Sequence, residues 1–259
     1  MTLGLSVGAA LAYAFASAAF TKVAPNRTRA SALIAWSLHA LAIAWGLWGE
    51  PPRFGFAPAL SVTAWLVGLV YAIEGIFYPQ LSPPRFLGAA GAGVVVLALV
   101  FPGSMLHPTV SPLMPLHWAL GIASYGLFAV AVVHAWVMNR TEASMRNAAD
   151  AQSGLPLLTM ERMVFRLVGV GFSLLTLTLL VGFFFEYRIH EPSRAIKLDH
   201  KTIFSMLSWL TFAGLLMGRA RFGWRGKRAT RVLYIGAGLL LLAYAGSRFV
   251  IEVVLGRVT

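Results

Sequence analysis

The chain contains no cysteine. This absence excludes structural disulfides, thiolate metal sites and any thiol chemistry carried by the chain itself. The sequence also lacks a P-loop, a dinucleotide-binding fingerprint and a recognisable Ser/His/Asp set. The residues left for chemistry are therefore the histidines and the few charged side chains that lie within apolar segments.

Charged residues are scarce as well: they make up 12% of the chain, whereas 58% of its residues are hydrophobic. A soluble domain of 259 residues could not hide that much apolar surface. Several apolar runs approach or exceed the roughly 20 residues that cross the hydrocarbon core of a bilayer. We therefore predict an all-α, polytopic membrane helix bundle, a single transmembrane domain over residues 1–259, in the lipid bilayer of a bacterial inner membrane.

The apolar runs predict eight transmembrane helices, separated by prolines and by the SGLP turn at 153–156. The predicted spans are 3–22, 30–48, 59–78, 86–102, 113–138, 164–186, 202–218 and 232–254. The first has no basic segment before it and is too long for the apolar core of a cleaved signal peptide, so we expect it to be retained. The small residues of GAAGAG in the fourth span and IGAG in the eighth are expected to allow close helix packing.

Basic residues concentrate on one side of the predicted topology. The net charge of +12 could suggest a nucleic-acid partner, but the cytoplasmic loops of membrane proteins collect Lys and Arg in the same way. The sparse side holds only Arg53, Arg188, Arg194, Lys197 and Lys201, with Arg257 at the tail. The rich side is therefore predicted to be cytoplasmic and both termini periplasmic, and we expect no nucleic acid as a partner.

Topology separates the six histidines. His107 and His190 fall in predicted periplasmic loops, where a solvated side chain is expected, and His134 lies near the cytoplasmic end of the fifth span. His39 lies about nine residues inside the second span, roughly 14 Å deep at 1.5 Å per residue. Two interpretations of His39 stay open. It is either a neutral imidazole bonded to another helix or an axial ligand of a haem iron.

His117 opens the fifth span, in PLHWALGIASYGLF. Residues at spacings of three and four share one helix face, and here they are Gly121, Ser124, Tyr125 and Phe128. A histidine above a glycine and an aromatic ring leaves room for a flat macrocycle. The same pattern also serves tight helix packing, so it does not choose between the two.

Two charged residues also fall within predicted spans. Arg248, in YAGSRFVIE, either pairs with Glu252 four residues later or clamps a haem propionate with its fork of donors. Glu74 ends the third span, where pairing with a basic loop residue is expected.

Four segments together resemble a known family. They are HWALGIASYGLF, LPLLTMERMVFRLVGVGFSLLTLTLLVG, LDHKTIFSMLSWLTFAGLLMGRARFGWRGKRA and YIGAGLLLLAYAGSRFVIEVVL, within roughly 113–255. The chain resembles the CcsA/CcmC-type cytochrome c assembly proteins, in particular the YpjD/HemX-like branch. The resemblance implies a membrane protein that handles haem, with His117 at the first periplasmic histidine of the family pattern. Asp199, in Leu198-Asp199-His200-Lys201, stands where the family's Trp-Asp-Pro-Lys loop has its aspartate.

The sequence departs from that pattern in three ways. The loop 187–201 contains no tryptophan, no histidine follows the last predicted span, and Met217 occupies the place of a transmembrane histidine. The resemblance then implies a bundle that binds or passes haem, not a stand-alone cytochrome c synthase, so we expect no enzymatic activity. Other membrane proteins of cytochrome assembly are the expected partners.

The resemblance yields a site hypothesis with two versions. A b-type haem, non-covalent because the chain has no cysteine for thioether links, is held by His39 and His117 or by His117 and His200. The first pair is favoured, because the loop lacks its tryptophans. Arg248, with Lys201 or Arg194, would neutralise the propionates. Two other hypotheses stay open: a haem-free accessory or regulatory subunit of a partner membrane protein, and a small-solute transporter using Glu74, His39 and Arg248.

The predicted orientation is testable with reporter fusions. A reporter that is active only in the cytoplasm should be active when fused after Arg225 and silent when fused at Thr259, because the basic loops face the cytoplasm. The reverse pattern would overturn the orientation and move His117 to the cytoplasmic side.

Overall fold

The computed structural model describes residues 2–19, 25–49, 52–78, 84, 86–105, 113–146, 156–189, 200–246 and 249–250. Its α-helices are α1 (Thr2–Ala19), α2 (Pro25–Trp48), α3 (Phe56–Phe77), α4 (Phe86–Val100), α5 (Leu113–Arg146), α6 (Leu157–Ile189), α7 (His200–Phe222) and α8 (Gly226–Leu241). A π-helical turn, Leu242–Gly246, continues α8. Two short strands, β1 (Arg53–Phe54) and β2 (Ser104–Met105), pair antiparallel.

The eight helices confirm the prediction of an all-α membrane bundle. Six of the described helices are long and apolar enough to cross a membrane, and α1 and α4 contain the shorter apolar segments Leu3–Ala18 and Phe86–Val100. α5 ends eight residues later than predicted and α6 begins seven residues earlier. Apolarity predicts only the part of a helix inside the bilayer. The polar extensions of α5 and α6, on either side of the SGLP turn, contain no helix breaker, so the helices continue through them.

The chain divides into two compact units. The first comprises Met1–Ile73, Ser82–Pro108 and Arg248–Thr259, and the second comprises Glu74–Leu81 and Thr109–Ser247. Each unit is built around its own helix contacts. The single domain over 1–259 stays a prediction.

In the first unit, α1 packs against α2 and α4. A Cβ on Gly88 would lie 3.1 Å from Ser17, and one on Gly91 would lie 3.4 Å from the Tyr13 ring, so these glycines set how closely α4 approaches α1. This confirms the packing role predicted for GAAGAG. Between α2 and α3, the indoles of Trp36 and Trp65 stack at 4.7 Å. Each indole N–H donates to the other residue's carbonyl oxygen, at 3.1 and 3.2 Å.

The second unit contains an up-down four-helix bundle, α5 to α8, with α5 also packed against α8. At its centre the rings of Phe128 on α5 and Phe212 on α7 stack 3.8 Å apart, both almost fully buried. Glycines on the other two helices border this stack. A Cβ on Gly171 would lie 3.2 Å from Phe128, and one on Gly236 would lie 2.8 Å from Phe212. The Phe stack is thus the point at which all four helices meet.

In each of the two hairpins, a serine hydroxyl donates a hydrogen bond to a glycine carbonyl of the following helix. Ser124, four residues before Phe128, donates to the Gly171 carbonyl oxygen at 3.1 Å. Ser208, four residues before Phe212, donates to the Gly236 carbonyl oxygen at 2.9 Å. The hairpins α5–α6 and α7–α8 therefore use the same Ser-x-x-x-Phe device against a glycine of the following helix. In lipid such hydroxyls need internal partners, because no water is available to satisfy them.

The GWRG segment forms a tight turn between α7 and α8. Gly223 and Gly226 have φ of +61° and +56°, a conformation that only glycine adopts freely. The turn folds the Trp224 ring directly over Gly218, and the Trp224 amide donates to the Gly218 carbonyl oxygen at 3.1 Å. The carboxylate of Glu161 on α6 then pairs with both Arg219 and Arg225. This set of contacts holds the end of the bundle together.

Two neighbouring glycines of α8 test the close packing at the Phe stack. Gly236→Ala should destabilise the protein by about 1–3 kcal/mol, because the new methyl meets a stacked, buried ring that cannot move away. Gly238→Ala is the matched control, since no atom lies within 4 Å of its Cβ position. Thermal unfolding in detergent should rank Gly236→Ala clearly below the wild type and Gly238→Ala at or above it. Equal midpoints for the two variants would contradict the packing described.

Candidate functional site

His39 is a hydrogen-bonded core residue of the first unit. Its side chain is 1% exposed, and its Nε2 lies 2.7 Å from the Ser61 hydroxyl. Its Nδ1 lies 3.3 Å from the Tyr13 hydroxyl, whose ring meets the imidazole edge-on. The imidazole therefore joins α1, α2 and α3, and both ring nitrogens are engaged. Ligation of iron by His39 would require one of these two bonds to break.

His117 lies in the second unit with one ring nitrogen committed. Its Nδ1 lies 2.9 Å from the Thr178 carbonyl oxygen on α6. A carbonyl only accepts, so Nδ1 carries the proton and, in the neutral ring, Nε2 keeps its lone pair. Metal-bound histidines usually have this arrangement, in which a backbone carbonyl fixes the tautomer and orients the ring. His117 is thus suited to ligate iron through Nε2.

Gly182 on α6 also shapes the position of the His117 ring. We call Thr178 and Gly182 together the seat of His117. A Cβ at this position would lie 2.9 Å from His117 Cε1 and 3.1 Å from Nδ1. No larger residue fits while the imidazole keeps its bond to Thr178. One turn of α6 therefore supplies both the hydrogen-bond acceptor and the space for the ring.

The rest of the His117 face of α5 packs against neighbouring helices. A Cβ on Gly121 would lie 3.5 Å from the Thr178 methyl, Ser124 bonds Gly171, and the Tyr125 hydroxyl donates to the Leu240 carbonyl oxygen at 3.1 Å. Of the two roles that the sequence left open for this face, the structure displays tight helix packing. A macrocycle bound by this helix would therefore lie beside His117, at the end of the bundle, and not deeper along α5.

His200 is the first residue of α7 and is exposed. α5 and α7 run in the same direction, and the Phe stack puts Phe128 and Phe212 at one level. His117 precedes Phe128 by eleven residues and His200 precedes Phe212 by twelve. At 1.5 Å per residue the two histidines differ in level by about 1.5 Å. The fold therefore brings His117 and His200 to the same end of the second unit at nearly the same depth.

Several residues that the sequence analysis named lie outside the described residues. The predicted site residues among them are Asp199, Arg248 and Arg194, and the others are His107, His190 and Glu252. Within the described ranges, no three His, Asp or Glu side chains converge as a metal-binding group.

Glu74 and His134 form a partly buried pair that the sequence did not predict. His134 Nε2 lies 2.8 Å from Glu74 Oε2, and the side chains are 1% and 13% exposed. The expectation that Glu74 pairs with a basic loop residue was wrong. The partner is a histidine 60 positions away, which α5 brings within reach and which no local spacing could indicate.

Sequence reasoning also missed the groups that position the two central histidines. Ser61 and Tyr13 hold His39, while Thr178 and Gly182 hold His117. The only signal in the sequence was the presence of small and hydroxyl-bearing residues inside apolar helices, and such residues usually serve helix packing.

Comparisons with known proteins identify the family of the chain. The profile of the family described as "Cytochrome C assembly protein" matches residues 24–255. The "Inner membrane protein YpjD" of Escherichia coli K12 is 31% identical over 163 residues, which cover 62% of this chain and 60% of that protein. The "Cytochrome c biogenesis protein CcsA" of Synechococcus sp. JA-3-3Ab is 32% identical over 85 residues, or 33% and 24% of the two chains. No solved structure matches.

The seat of His117 can be tested without any cofactor. Gly182→Ala should push the imidazole off the Thr178 carbonyl and release its tautomer, because the methyl would overlap Cε1. Nitrogen-15 NMR of histidine-labelled protein, with His117 assigned by its loss in His117→Gln, should report a protonated Nδ1 in the wild type and a changed tautomer in Gly182→Ala. Gly169→Ala on the same helix is the control, since nothing lies within 4 Å of its Cβ position. A wild-type His117 protonated on Nε2 would overturn the assignment.

Proposed function

Because the chain belongs to the cytochrome c assembly protein family over residues 24–255, we propose that it binds haem and presents it to partner proteins of cytochrome assembly. It is a multi-pass membrane protein with six described helices long enough to span. The related YpjD is by name an inner membrane protein, and we assign this chain to the same membrane. The matched region spans 60% of YpjD and 24% of CcsA, so activity, cargo and partners are part of the proposal.

The observation that carries the proposal is the seat of His117. Its Nδ1–H is bound by the Thr178 carbonyl, and Nε2 keeps its lone pair. Neutral imidazole held in this way is a standard axial ligand of haem iron. His117 also occupies the position of the family's first periplasmic histidine, so resemblance and geometry point to the same side chain.

We take His200 as the second ligand in preference to His39. His117 and His200 belong to the same unit, start at the same end of parallel helices and differ in level by about 1.5 Å. Both ring nitrogens of His39 are engaged by Ser61 and Tyr13. The pair that the sequence favoured, His39 with His117, thus becomes the alternative that experiment must exclude.

The mechanism is binding and release, with no covalent bond made by the protein. Bound haem would supply an iron porphyrin whose potential depends on its axial ligands. Thr178 and Gly182 hold the His117 ring in one tautomer and orientation, which lowers the entropy lost on ligation. Exposed apolar side chains beside these residues, Leu116 and Phe183, can border an apolar macrocycle. On the family pattern alone, we also propose that Arg248 contacts the haem propionates and that Asp199 contributes a contact from the loop.

A haem-free accessory subunit is the second candidate. The packing of α5 against α6 and α8, and the full engagement of His39, favour it. A small-solute transporter has weaker support, because His39 is engaged and Glu74 is bonded to His134.

Haem titration of the purified full-length chain tests the proposal. The wild type should develop the spectrum of a haem protein with two axial imidazoles. His117→Ala and His200→Ala should each give a changed spin state and redox potential, because each opens a coordination position. His107→Ala and His190→Ala should match the wild type. Each variant is compared as a monodisperse, folded preparation.

Two other outcomes are decisive. If His39→Gln and His117→Ala share one altered spectrum while His200→Ala is silent, the haem lies between His39 and His117. A wild-type protein that stays colourless after titration would contradict haem binding and support the accessory-subunit function.

A further inference from the structure

One end of the second unit carries cations that no described carboxylate neutralises. Antiparallel packing brings together the start of α6, the end of α7 and the start of α8. Five exposed basic side chains here have no ion pair within the part of the chain that the structure describes; we call them the basic face: Arg162, Arg166, Arg221, Lys227 and Arg231.

The two acids that the structure describes at this end already have partners. Glu161 is buried and its carboxylate binds Arg219 and Arg225. Glu142 on α5, the other described acid near this end, also has an interaction within the chain. Neither carboxylate is left to balance the basic face. The face therefore presents a strong positive potential to whatever lies in front of it.

The helices that carry the basic face are held in a fixed arrangement. Arg162 and Arg166 are one turn apart on α6, as Lys227 and Arg231 are on α8, so each pair projects from one side of its helix. The turn between α7 and α8 is fixed by Trp224 over Gly218, and the Arg228 guanidinium lies 4.2 Å from the centre of the Trp224 ring. Cations carried by fixed helices lose less backbone entropy on binding an anion than cations on a mobile loop.

Exposed apolar side chains adjoin these cations. Phe222 is 74% exposed next to Arg221, and Val170 is 55% exposed one turn after Arg166. Both belong to helices long and apolar enough to cross a membrane. A surface that is apolar along the helices and cationic at their ends matches a phospholipid, whose acyl chains lie along the helices and whose headgroup lies at the ends.

We propose that the basic face binds the phosphate groups of anionic phospholipids in the surrounding bilayer. Guanidinium groups bind phosphate oxygens in a two-pronged geometry, and the Lys227 ammonium adds a point charge. This binding is independent of haem, since the basic face lies at the opposite end of the bundle from His117. It gives the basic residues a role in fastening the α6–α7–α8 end to the membrane surface.

Spin-labelled lipids measure this preference directly. The full-length chain is reconstituted in vesicles containing either spin-labelled phosphatidylglycerol or phosphatidylcholine with identical acyl chains. The wild type should immobilise phosphatidylglycerol in preference, by about fivefold per cation engaged. The double variants Lys227→Gln/Arg231→Gln and Arg162→Gln/Arg166→Gln should each lower that preference by about fivefold for each engaged cation that they remove. Added salt should weaken it, because surface charges are screened.

The matched control, Arg53→Gln/Arg188→Gln, removes the same charge from the sparse side. It should leave the lipid preference unchanged. Equal immobilisation of the two lipids by the wild type would overturn the proposal, as would an equal loss in the control. Inorganic phosphate is tested separately in phosphatidylcholine vesicles. Strong thermal stabilisation by phosphate there would show that the face serves a soluble anion instead of a lipid.

Discussion

The stacked pair of Phe128 and Phe212 is the contact on which the second unit depends. The two rings belong to α5 and α7, which are not consecutive, and they fill the axis of the four-helix bundle. Gly171 and Gly236 border them: a side chain at Gly236 would overlap the Phe212 ring, and one at Gly171 would crowd the Phe128 ring. Because lipid gives helices no hydrophobic reason to associate, dispersion contact between flat rings and bare backbone supplies much of the association energy.

The same contact fixes the relative depth of the residues on α5 and α7. Since the rings stack, residues at equal distances before Phe128 and Phe212 lie at equal depth. His117 and His200 follow from this rule, as do Ser124 and Ser208, which close each hairpin on a glycine carbonyl. The two hairpins thus repeat one packing scheme, and the proposed ligands are offset by one residue within the repeat.

Polar side chains inside each unit have partners within the chain. Deep in the first unit, His39 is held by two hydroxyls, and near one end of the second unit His117 is held by a backbone carbonyl. Toward the end with the basic face, ion pairs replace such bonds: Glu161 joins Arg219 and Arg225. Full charges are tolerable there because water and headgroups are near, whereas at mid-membrane an unpaired charge costs several kcal/mol.

Composition and apolar run length were enough to predict the membrane bundle and its eight helices, because burial in lipid demands about 20 apolar residues per span. The motif resemblance identified the family, and the helical spacing correctly grouped Gly121, Ser124, Tyr125 and Phe128 on one face. The sequence could not predict which helices that face contacts. It also could not predict that His39 has two hydrogen-bond partners, that Glu74 pairs with His134, or that Gly182 leaves the space for the His117 ring. Those partners lie between 22 and 65 positions apart along the chain. Periodicity reports which residues share a side of one helix, whereas contact between helices depends on how their glycines and rings interlock, which only the tertiary structure decides.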